Sequence, residues 1–61
     1  MHDTEEQELA NSMIRLYGRD AETVAAGHAK THAEMGEIEK SEKWHRVAQV
    51  VKRMRLQMQP G

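Results

Sequence analysis

The sequence has 61 residues, no cysteine, and a formal net charge of −1 from nine Lys and Arg against ten Asp and Glu. This length predicts a single domain over 1–61, and the lack of cysteine excludes disulfides and thiolate metal ligands. The balanced charge excludes strong overall attraction to nucleic acid or an anionic membrane, and no apolar run approaches the roughly 20 residues that cross a bilayer. We therefore expect a soluble, cytoplasmic protein whose small core needs help from a partner.

The first predicted helix covers about residues 4–17. Thr4 and Gln7 form a capping-box pattern at its start, and Gly18 follows its end, where glycine enters the left-handed region without a Cβ clash. We assign Leu9, Met13 and Tyr17 to the core. The apolar face of this helix, at about 100° per residue, consists of Leu9, Ala10, Met13, Ile14, Leu16 and Tyr17.

The second predicted helix covers about residues 21–35, with Asp20 as its N-cap and Gly36 just after its end. Its apolar residues are small, and a ridge of alanines spaced by four lets a neighbouring helix approach closely. We assign Ala25 and Ala29 to the core. The ridge consists of Ala21, Ala25, Ala29 and Ala33.

The third predicted helix covers about residues 39–57. Its apolar stripe has alternating spacings of three and four residues, which indicates one buried helix face. Trp44 is the largest apolar side chain, and we expect it to anchor the core over the alanine ridge, with Val47 and Val51 beside it. The stripe consists of Trp44, Val47, Val51, Met54 and Met58.

Short connections near Gly18 and Gly36 require consecutive helices to pack as hairpins. The predicted fold is therefore all-α: a three-helix up-down-up mini-bundle in which a helical hairpin over 20–58 carries the helix over 4–17. Residues 1–3 and 59–61 are expected to be flexible.

Three motifs carry a resemblance: Tyr17-Gly18, the turn Met35-Gly36-Glu37, and Trp44-His45-Arg46-Val47-Ala48 with Val51 and Met54 beyond. With these motifs the chain resembles short bacterial all-helical proteins of unknown function, which have an Ala-rich helix, a Gly-acidic turn and a W-x-x-V helix. The resemblance covers about residues 9–54. It implies a helical fold, and it implies no activity and no site.

Two histidines, His28 and His32, lie four residues apart and therefore share a helix face, as two ligands of one zinc or copper ion would. A complete site needs one or two further ligands, so we expect no metal and keep a small His-based metal-binding protein as the second alternative. If both histidines lie at an interface, acid should loosen it.

The basic end of the third helix offers another alternative, a DNA-binding or regulatory protein similar to a helix-turn-helix. Its candidate contacts are Arg46, Lys52, Arg53 and Arg55. The acidic turn before this helix would face backbone phosphate, so we regard nucleic acid as an unfavoured partner.

No nucleophile motif, phosphate loop or dinucleotide fingerprint is present in the sequence, and so small a core leaves little room for a ligand pocket. We expect no enzyme activity, no cofactor, no membrane partner and no small-molecule substrate. The leading interpretation is a small non-catalytic helical protein–protein interaction module that binds itself as a homodimer, or another protein. The expected interface on the third helix consists of Val50, Met54, Leu56 and Met58.

Overall fold

The computed structural model describes residues 2–58, and the side chains of residues 5–57. Every regular element in that range is helical and none is a strand, which confirms the all-α class. Helix α1 is His2–Tyr17, a 3-10 turn follows at Gly18–Asp20, α2 is Ala21–Glu34 and α3 is Ile38–Met58. Because the 3-10 turn joins α1 directly to α2, the helical residues form two continuous stretches, 2–34 and 38–58.

The ends of the helices differ from expectation in small ways. Helix α1 begins two residues before Thr4, so His2 and Asp3 are helical. The expected flexibility of residues 1 and 59–61 concerns positions outside the described residues. Asp20 makes no side-chain cap hydrogen bond, because it belongs to the 3-10 turn and its backbone is already helical (φ −86°, ψ −1°), whereas an N-cap residue is extended.

Two glycines follow the ends of helices α1 and α2. Gly18 has φ +58° and Gly36 has φ +81°, so both occupy the left-handed region expected of a helix-ending glycine. At the second turn, the amide of Gly36 donates to the carbonyl of Ala33, and the amide of Glu37 donates to the carbonyl of His32. These bonds satisfy carbonyl groups left free at the end of α2.

The core is built from small side chains. Helices α2 and α3 make the most extensive contact, and α1 packs against both. The largest fully buried side chains are Val47 and Val51, both from α3. The buried apolar residues are Ala10, Met13, Ala21, Ala25, Ala29, Val47, Ala48 and Val51.

Trp44 and Tyr17 are not buried anchors. Trp44 is only partly buried and lies at the edge of the core, because alanine and valine side chains already occupy the space between α2 and α3. Its ring packs against His28 of α2 with 4.6 Å between ring centroids. Tyr17 is 45% exposed, since it is the last residue of α1 and the chain turns away after it. Leu9 is partly buried.

Ion pairs join α1 to α3. Glu6 is buried, and its Oε2 accepts a hydrogen bond from Arg46 Nε at 2.7 Å. One residue earlier, Glu5 accepts a hydrogen bond from the Lys43 ammonium group. Over residues 2–58, no helix has both the length and the apolar character that crossing a bilayer requires.

Candidate functional site

The expected interface on α3 divides into two surfaces. Val50 and Met54 are partly buried and line one groove of about 360 Å³, together with Glu6 and Gln7 of α1. Leu56 lies elsewhere, because six residues of α-helix place it about 120° around the axis from Val50. The side chain of Met58 lies outside the described part of the chain.

Leu56 is 64% exposed and faces away from the core. It lies beside a shallow depression of about 360 Å³ on the outer face of α3, whose other lining residues are Gln49, Lys52 and Arg53. Neither Lys52 nor Arg53 has an ion-pair partner among the side chains that the structure describes. This surface therefore presents an apolar side chain and two available cations.

Five large apolar side chains are exposed among those that the structure describes. Leu16 and Tyr17, expected on the apolar face of the first helix, are exposed at its last turn. Ile38 was not assigned to any surface, because the third helix was expected to begin at about residue 39. Ile38 is the first residue of α3 and is 59% exposed. Its separation from Leu56, 18 residues or five helical turns, was the available signal that both lie on one line of the helix. The exposed large apolar residues are Leu16, Tyr17, Met35, Ile38 and Leu56.

Two of the four cations considered for DNA binding form ion pairs within the fold. Arg46 binds Glu6, and Arg55 Nη1 lies 3.6 Å from Glu22 Oε1 of α2. The Glu6 carboxylate, through its hydrogen bond, raises the pKa of the Arg46 guanidinium above its usual value. The two cations without such partners, Lys52 and Arg53, lie beside the apolar side chain of Leu56.

The two histidines of α2 have different contacts. His28 packs against the indole of Trp44, whereas His32 Nδ1 lies 2.7 Å from Glu37 Oε1 in the turn before α3. The hydrogen bond from His32, aided by Lys40 Nζ at 3.5 Å, lowers the pKa of the Glu37 carboxyl below its usual value. No group of three or more possible metal ligands occurs in the described residues.

His32 therefore lies against an anion rather than among apolar side chains. The expectation that acid loosens an interface containing both histidines stays a prediction. His45, the histidine of α3, is exposed.

Comparisons with known protein families, with curated proteins and with solved structures find no significant match to this chain. The resemblance to short bacterial helical proteins therefore stays a prediction.

Proposed function

We propose that this chain is a small, non-catalytic helical protein–protein interaction module that acts as a homodimer through α3. One observation carries the proposal: the largest fully buried side chains are valines, whereas five larger apolar side chains are exposed. A domain of this length is marginal as a monomer, and covering exposed apolar area against a second chain adds the burial that its own core lacks.

We propose with it that the fold is an up-down-up bundle of three separate helices. The left-handed backbone of Gly18 supports a reversal between α1 and α2, and the Glu6–Arg46 bond supports α1 lying alongside α3. In this arrangement the outer face of α3 is free to contact a second chain. A cytoplasmic setting, in which disulfides rarely form, fits a chain without cysteine.

The proposal is tested by the mass of the native chain in solution. Sedimentation equilibrium from micromolar to millimolar concentration should show a reversible monomer–dimer equilibrium. A chain that stays monomeric over the whole range contradicts the proposal.

A matched pair of variants tests the role of α3. Leu56→Lys places a charge on the outer face of α3 and should weaken the dimer while leaving helicity unchanged, since this side chain is exposed in the monomer. Met35→Lys places the same charge on an exposed apolar residue in the turn and should leave the dimer intact. Equal loss of dimer in both variants would contradict the assignment to α3.

A further inference from the structure

The outer face of α3 carries a second periodic stripe, opposite the core. Six residues recur with spacings of four, three, four, three and four, so they lie along one line of the helix. All six are exposed, so no other part of the described chain covers them. The outer stripe consists of Ile38, Glu42, His45, Gln49, Lys52 and Leu56.

The outer stripe is complementary to itself when two copies run antiparallel. Its residues are placed symmetrically about residue 47. If an antiparallel partner crosses at residue 47, the first residues of one stripe therefore meet the last residues of the other. Ile38 then meets the partner's Leu56, an apolar contact. Glu42 meets the partner's Lys52, an ion pair, and His45 meets the partner's Gln49, two polar side chains that can hydrogen-bond.

The shape of this surface agrees with the same register. The depression beside Leu56 is bounded by Gln49, Lys52, Arg53 and Leu56, which are spaced i, i+3, i+4 and i+7. This diamond is the hole that receives one side chain in helix–helix packing. In the antiparallel register the side chain that enters it is the partner's Glu42, which would meet two cations that have no ion-pair partner among the described side chains.

We propose that a second copy of this chain binds antiparallel along α3, with the partner's Glu42 seated in the hole between Lys52 and Arg53. This inference rests on the proposed homodimeric function and specifies its contact surface. A parallel arrangement would set Glu42 against the partner's Glu42 and Lys52 against the partner's Lys52, so repulsion between like charges selects the antiparallel one. Glu42 also lies near Arg46 on its own helix, which contributes to the raised pKa of that guanidinium but leaves the carboxylate exposed.

Charge reversal tests the register directly. Glu42→Lys sets two cations against each other at both ends of the dimer, and Lys52→Glu does the same with two anions. Each single variant should raise the dimer dissociation constant by about tenfold or more, because two attractions become two repulsions. The double variant with both substitutions should recover the native dissociation constant, as should an equimolar mixture of the two single variants.

Controls separate the register from the folding of the monomer. Glu42 and Lys52 are exposed, so both variants should keep native helicity by circular dichroism. Lys30→Glu changes the charge of an exposed residue on α2, away from α3, and should leave the dissociation constant unchanged. A single spin label at Gln57→Cys should give a distance of about 30 Å along the helix axis in an antiparallel dimer, whereas a parallel dimer brings the labels side by side.

The outcomes distinguish this inference from the function on which it rests. A native chain that is always monomeric removes both. A native dimer whose single variants dimerise as tightly as the native chain, or whose mixed variants fail to recover, leaves the proposed function standing and overturns the antiparallel register.

Discussion

The buried carboxylate of Glu6 on α1 accepts its hydrogen bond from Arg46 of α3, 40 residues later in the chain. We expect Arg46→Ala to lower the thermal midpoint of unfolding, because it leaves a buried carboxylate without its donor. Arg15→Ala removes an exposed arginine from α1 and serves as the control, with little expected change. Equal midpoints for the two variants would show that the Glu6–Arg46 bond does not hold α1 in place.

Close packing between α2 and α3 depends on alanine at a fully buried position. Ala25→Leu should destabilise the fold by about 1–3 kcal/mol, because the added atoms have no space among the buried valines. Ala26→Leu makes the same change at the exposed neighbouring position and should change the unfolding free energy by no more than about 0.5 kcal/mol. Urea titration of the two variants measures the difference, and similar values would contradict the packing described here.

Two glycines should respond in opposite ways to substitution by alanine. Gly27 lies inside α2 with open space where a Cβ would be, so Gly27→Ala should stabilise the fold by about 1 kcal/mol. Gly36 has a left-handed backbone, so Gly36→Ala should destabilise it by about 1–2 kcal/mol despite equally open space. Chemical denaturation gives both values. A stabilising Gly36→Ala would argue against the left-handed turn.

The half-buried position of Trp44 lowers the cost of removing it. A fully buried tryptophan would lose about 3–5 kcal/mol on truncation to alanine, whereas Trp44→Ala should cost about 2 kcal/mol because the ring already contacts solvent at the edge of the core. Thermal unfolding followed by circular dichroism measures this cost. A loss as large as that of a buried aromatic would place the indole inside the core.

The contact between His32 and Glu37 in the turn makes the stability of the fold depend on pH. The fold lowers the pKa of the Glu37 carboxyl from 4.5. The ionised carboxylate therefore stabilises the fold above pH 4.5, and this stabilisation is lost as the pH falls through the folded-state pKa of Glu37. The difference in unfolding free energy between the native chain and Glu37→Gln should therefore persist from neutral pH to 4.5 and shrink below it. Disappearance of the difference between neutral pH and about pH 5 would contradict this assignment.

Much of the fold can be predicted from the sequence, because its signals are local. The positions of Gly18 and Gly36 indicate where helical elements end, and the alanine spacing of α2 indicates its buried side chains. Ala33 is the exception: it belongs to the predicted ridge but is exposed near the end of the helix. The position of Trp44 could not be predicted in this way. Periodicity gives the face on which a side chain lies, but the space available to it depends on how closely two helices approach, which is a property of the packed pair.

The candidate surface was less predictable for a related reason. Leu56 could be identified as an apolar residue on a polar face, but Val50 and Met54 were grouped with it although they line a different groove. The outer stripe becomes visible only when α3 is known to begin at Ile38, one residue before the expected start. Long-range bonds such as Glu6–Arg46 leave no periodic signal, since they depend on how α1 crosses the hairpin.

The short turn between α2 and α3 has a consequence for the rate of folding. These two helices make the most extensive contact in the molecule, and only Met35, Gly36 and Glu37 separate them. Contacts between segments so near in sequence need little loop closure, so the α2–α3 hairpin should assemble before α1 docks. A chain organised in this way should reach its native state within microseconds to milliseconds.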